Sequence, residues 1–129
     1  MNSLQFNLSQ SAIDSQHFCT ELDQFLLQNS VIAGQRFKIV TCILEAVANI
    51  AQHSQVDLAK VSLIIRCERD KVTIDLLDNS PFIEPQKPSC PPPLSLTGRG
   101  LWIMQNWMDQ VRVQASVAGT HLRLSLLRH

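Results

Sequence analysis

Apolar and polar residues alternate at Leu4, Phe6 and Leu8, the period-two pattern of a short half-buried strand that opens a sheet. The period then lengthens. Ile13, Phe18, Leu22, Phe25 and Leu26 recur near helical spacing, with Ser11 and Asp14 set as a capping box and Asn29 and Ser30 ending the run. Gly34 marks the turn into a second, longer helix from Phe37 to His53, and Gln55 to Ala59 connects it onward. On a helix Phe37, Val40, Leu44, Val47 and Ala51 fall on one apolar face, while Glu45, Asn49 and His53 form a row at i, i+4, i+8 on another. Val61, Leu63, Ile65 and Cys67, then Val72, Ile74 and Leu76, alternate with outward residues and predict a hairpin across Glu68 to Lys71. Its second strand runs into Asp78, Asn79, Ser80 and Pro81, where proline and the Asx residues stop it.

All six prolines lie between Pro81 and Pro93, which excludes helix and central strand there and predicts a long loop, either a lid or a passive spacer. After it, Thr97, Gly98, Arg99 and Gly100 lead into Leu101, Met104 and Met108 at helical spacing, widened by Trp102, Ile103 and Trp107. Val111, Val113 and Ala115, a turn at Ala118 and Gly119, and Leu122, Leu124 and Leu126 predict a closing hairpin.

Length and charge narrow the classes. A chain of 129 residues predicts a single domain, 1–129, able to bury a core of its own. With 45% hydrophobic residues and eleven basic against eleven acidic side chains, neither disorder nor general attraction to nucleic acid or an acidic membrane is indicated. No basic-then-apolar leader and no long apolar run occur, so the cytoplasm is the expected location. Cys19, Cys42, Cys67 and Cys90 are singly spaced, which predicts free thiols, with Cys42 and Cys67 in the core and Cys90 in the proline-rich loop.

The helix row is the first candidate site. A carboxylate, an amide and an imidazole one turn apart could hold hydrated Mg2+ beside a proton acceptor, because Mg2+ prefers oxygen ligands and keeps several waters; a polar stripe facing water has the same spacing. The second is the glycine turn, since Gly-x-Gly at a helix start can present backbone N–H groups to phosphate oxygens, although helix-start geometry alone also calls for glycine. There is no GxxxxGK[ST], and the turn does not follow a strand as in a dinucleotide fold.

Taken in chain order, ExxxN on a helix, Asp at a strand end and GxGLxxM after a long loop resemble the N, G1 and G2 boxes of the GHKL ATPase superfamily. EAVANIAQHS, TGRGLWIMQNWMDQV and AGTHLRLSL look most like the small serine-protein kinases that act as anti-sigma factors in bacterial partner switching. The resemblance implies an α+β fold, a two-layer sandwich of Bergerat type, with a mixed, mostly antiparallel sheet, helices on one face and an ATP lid at about 81–97. It implies ATP and Mg2+ as cofactors, Asn49 as the metal ligand and Glu45 as the base that activates a substrate serine. Asp78 would accept from the adenine amino group, with Ser80, Gly98, Arg99, Gly100 and Leu101 around the nucleotide. His53 would meet the phosphates or cap the helix. It further implies an anti-anti-sigma (STAS-type) protein and a sigma factor as partners, and a homodimer, with no direct contact to nucleic acid or membrane.

One box departs from the family's pattern: Ser80 stands where a glycine usually lets the backbone approach the nucleotide. A second reading is therefore a nucleotide-independent anti-sigma or adaptor module on the same fold. A detached histidine-kinase ATPase domain is the third, without a dimerisation helix pair ahead of it.

Overall fold

A computed structural model describes residues 2–8, 17–51, 61–78, 99–117 and 119–128, and at 8, 17, 49–51 and 99–102 the chain path alone. The elements run β1 (Asn2–Leu8), α1 (His17–Gln28), α2 (Ala33–Ala51), β2 (Val61–Cys67), β3 (Lys71–Asp78), α3 (Arg99–Trp107), β4 (Gln110–Ala115) and β5 (Thr120–Leu127). The expected Ser11–Asp14 cap, the 55–59 connection, Cys90 and the 81–97 lid lie outside the described residues.

The five strands form one sheet in the order β1-β2-β3-β5-β4. Every pairing among them is antiparallel, so no parallel pair of the expected mixed sheet occurs among the described strands. Alternation decides the faces. Val61, Leu63, Ile65 and Cys67 of β2, Val72, Ile74 and Leu76 of β3, and Leu124 and Leu126 of β5 are buried on one side. They share a single core with Phe18, Leu22 and Leu26 of α1, Ile39, Ile43 and Val47 of α2, and Met104 of α3. All three helices therefore cover the same face of the sheet.

The central helix differs from its expected form in two ways. It begins at Ala33, so Gly34 lies inside its first turn and not before it, with the Arg36 amide already bonded to the Ile32 carbonyl at 2.9 Å. Its buried stripe is also rotated. Ile39, Cys42, Ile43, Ala46 and Val47 face the sheet, Val40 and Leu44 are half-buried, and Phe37 is 65% exposed, its ring 5.9 Å from that of Trp107. The helix is apolar around most of its circumference, so periodicity alone did not choose which stripe the sheet would take.

The end of α1 is closed by a left-handed residue. The Val31 amide bonds to the Leu26 carbonyl at 3.0 Å and the Ser30 amide to the Leu27 carbonyl at 3.0 Å, with Ser30 at φ 63°. This is a Schellman closure, and the buried pair Leu26 and Val31 supplies its apolar contact. An L-residue held there costs about 1–2 kcal/mol, which glycine avoids at some cost in chain entropy. Ser30→Gly is expected to stabilise the fold by about 0.5–1 kcal/mol in urea unfolding; equal or lower stability would contradict this.

Long-range polar contacts set the direction of α2. Gln35 Nε2 donates to the Leu127 carbonyl at 2.9 Å, tying the start of α2 to the end of β5, which pairs there with Lys71 at the start of β3. From Gln35 to Asn49 the helix rises about 21 Å, and from Lys71 to Asp78 the strand advances about 24 Å. Farther along, Ile43 and Ala46 of α2 line one apolar seam with Ile74 and Leu76 of β3, so α2 advances along the sheet in the direction of the Asp78 end of β3.

Candidate nucleotide site

Asp78 is the last residue of β3 and pairs with Thr120 of β5. Its parity matters more than its position. It continues the row Val72, Ile74, Leu76, so it sits on the helix-covered face, and it is 7% exposed. A carboxylate in that place forms the polar end of an otherwise apolar row. Next along lies an apolar seam, lined by Ile43 and Ala46 of α2, Leu76 of β3 and Leu122 of β5, too tight to admit water.

Glu45 is partly buried on α2, about a third of a turn round from the stripe that faces the sheet. Its charge is felt locally: burial pushes the Cys42 thiol up to about 11, Glu45 adds to the rise, and Lys38 acts against it. Cys42 is accordingly an inert core thiol, and Cys19 and Cys67, also free, are raised by burial. Asn49 follows Glu45 by one turn of the same helix.

Arg99, Gly100 and Leu101 form the first turn of α3, as the glycine-turn reading requires of a helix start. Trp107, at the other end of α3, is held against Phe37 of α2. Met104 and Met108 enter the core, but Met108 lies just past the helix end, its amide bonded to the Met104 carbonyl at 2.9 Å. The structure therefore places Glu45, Asn49, Asp78 and the Arg99–Leu101 turn on elements of one layer and one sheet face. His53, Ser80 and Gly98 lie outside the described residues. No cluster of His, Cys, Asp or Glu suited to a metal occurs among the described residues.

A family model described as the histidine kinase-like ATPase domain matches residues 11–126. The chain belongs to that family. The match spans the helix row, the strand-end aspartate and the glycine turn together. Among solved structures, this ATPase-family chain is similar to the crystal structure of the RsbU and RsbW domains of Rv1364c from Mycobacterium tuberculosis. The TM-score is 0.72 at 16% identity, over 100% of this chain and 33% of that one. At that identity the likeness speaks to the fold, and it agrees with a Bergerat-type sandwich; this chain spans a third of the matched protein. No curated protein matches the chain. Among the described residues, no helix is long and apolar enough to cross a membrane.

Sequence reasoning missed one group altogether. On the sheet face away from the helices, Asp75 receives Arg66 Nη2 at 2.7 Å, Arg123 Nε at 2.6 Å and His121 Nε2 at 2.7 Å. Burial alone would raise its pKa, but hydrogen bonds from Arg123 and His121, the Arg123 charge and the Arg66 bond outweigh it, holding the carboxyl below its usual range. A lone aspartate in the middle of an apolar strand was the available signal. Its partners come from β2 and β5, and only the register brings them together.

Proposed function

We propose that this ATPase-family domain is an ATP-dependent serine-protein kinase that also acts as an anti-sigma factor. It phosphorylates a serine of an anti-anti-sigma partner of STAS type and, when that partner is unavailable, sequesters a sigma factor. The observation that carries the reading is the buried Asp78 on the helix-covered face, at the end of β3 toward which α2 advances, in a chain of this family.

The donor set suits Mg-ATP. The amide oxygen of Asn49 would ligate Mg2+, which supplies charge neutralisation at the phosphates, and Glu45 would take the proton of the serine hydroxyl. The Asp78 carboxylate would accept from the adenine amino group. The start of α3, with Gly98, Arg99, Gly100 and Leu101, would offer backbone N–H groups and the positive helix end to phosphate oxygens, with Ser80 and His53 nearby. Residues 81–97 would form the lid, and the working unit would be a homodimer in the cytoplasm. Phosphoryl transfer depends mainly on positioning and charge, so this short set is chemically sufficient.

Calorimetry with ATP and Mg2+ tests the reading. Micromolar binding is expected, with GTP weaker on the order of a hundredfold, because guanine presents a carbonyl oxygen where adenine presents a donor. Asp78→Ala should erase most of that preference. No ATP binding at millimolar nucleotide would favour the second reading, an adaptor that binds without nucleotide, for which Ser80 in place of glycine is the specific motive.

A further inference from the structure

The sheet face away from the described helices carries its own pocket. Ile64 and Arg66 of β2, Asp75 and Leu77 of β3, and His121 and Arg123 of β5 line an open slot of about 280 Å³. Asp75, 6% exposed, forms its floor, while Arg66 and Arg123 are a third or more exposed beside it. Ile64 lies directly opposite Asp75, and Leu77 opposite His121, so the walls are apolar and the floor is ionic.

The charges in the slot do not balance. His121 also lines the slot, its Nε2 2.7 Å from Asp75 Oδ1 and its Nδ1 3.1 Å from Gln114 Nε2. Among the described residues, the guanidinium groups of Arg66 and Arg123 face the one carboxylate of Asp75, a surplus of positive charge. The imbalance extends beyond the slot. Arg112 stands directly opposite Arg123 across the β4–β5 pair, where like charges repel. Across the strand positions of this face, Arg66, Lys71, Arg112 and Arg123 meet Asp75 alone, although the whole chain has eleven basic and eleven acidic residues. Arg66 also has a buried Nε with no acceptor among the described residues, so Asp75 does not exhaust its donors.

We propose that this slot binds a small organic monocarboxylate with an apolar body, either a free acid or the C-terminal residue of a peptide. A planar carboxylate matches the fork of an arginine already held in place by Asp75, and its negative charge answers the surplus. Ile64 and Leu77 receive the hydrocarbon part. The volume lies at the small end of ligand pockets and suits roughly ten non-hydrogen atoms. The site is independent of the nucleotide reading, because it lies on the opposite face of the sheet from Asp78.

Two-dimensional amide NMR of the full chain tests it, using 4-methylpentanoate as the free acid, N-acetyl-leucine as the chain-end mimic and 4-methylpentanamide as the uncharged control. Millimolar binding is expected, with shifts centred on Ile64, Leu77 and His121, little response to the amide, and weakening as salt rises. Whichever acid binds more tightly names the source. Arg123→Gln should weaken binding at least about tenfold. Ile64→Ala, which leaves the ion cluster whole and guards against a folding defect, should weaken it about threefold or more. Three results would overturn the proposal: equal shifts from acid and amide, tighter binding of inorganic phosphate than of either acid, or a dimer that shields these amides and excludes both acids.

Discussion

Glu45→Gln is expected, on the proposed kinase reading, to lower phosphoryl transfer from ATP to a serine-bearing partner by about 10²–10⁴-fold, the usual loss when a general base is removed. Mg-ATP affinity should stay within about threefold, because the amide keeps the shape of the carboxylate and loses only its charge and basicity. The physical basis is the position of Glu45 on α2: partly buried, turned away from the sheet, and one helical turn from Asn49. Asn49→Ala should give the opposite signature, weaker Mg-ATP binding first, since on the proposed reading it removes a metal ligand and not a base. Single-turnover phosphorylation with a cognate partner separates the two. A wild-type rate in Glu45→Gln would remove Glu45 from the chemistry and leave it as a polar residue beside Cys42.

Asp75→Ala is expected to destabilise the fold by about 2–3 kcal/mol at neutral pH, or about 10 °C in Tm for a chain of this size. The figure sits below that for a fully buried ion pair because Arg66 and Arg123 are a third or more exposed and water can take over part of their solvation. Acid should narrow the gap. The folded Asp75 carboxyl is held below its unfolded value, so the stability it contributes is present above about pH 4 and is lost as pH falls through the lower folded value. Urea unfolding at neutral pH and at several points below pH 4 should find wild type and variant converging as the solution is acidified. A constant gap across that range would mean that Asp75 acts through packing and not through its charge.

The strands were legible because apolar residues recur along them with period two, and those rows face the helices. Val61 to Cys67 and Val72 to Leu76 alternate with period two, and a slip of one residue would turn the whole row to solvent, so pattern and register carry the same information. The three ordered motifs were legible for a related reason, since each is local: Glu45 and Asn49 on one helix, Asp78 at one strand end, Gly98 to Met104 in one turn and helix. The face of Asp78 also followed from alternation once the strand was placed.

By itself, then, the sequence determined the element order, the inward row of each strand and the local motifs of the ATPase family, all of which depend on neighbours within a few residues. Tertiary structure decided the rest. Which stripe of α2 is buried could not be read from a helix apolar on several sides; contact with the sheet chose Ile39, Ile43 and Ala46 and left Phe37 to Trp107 and solvent. The direction of α2 along the sheet shows in Gln35 donating to the Leu127 carbonyl, 92 residues away, and in Ile43 and Ala46 meeting Leu76. The Asp75 cluster joins side chains from three strands, with Arg123 lying 48 residues beyond Asp75 and directly opposite it in the β3–β5 pair. Such contacts depend on strand order, and strand order is set by the packing of the entire core, a sum over long-range contacts that no local window contains.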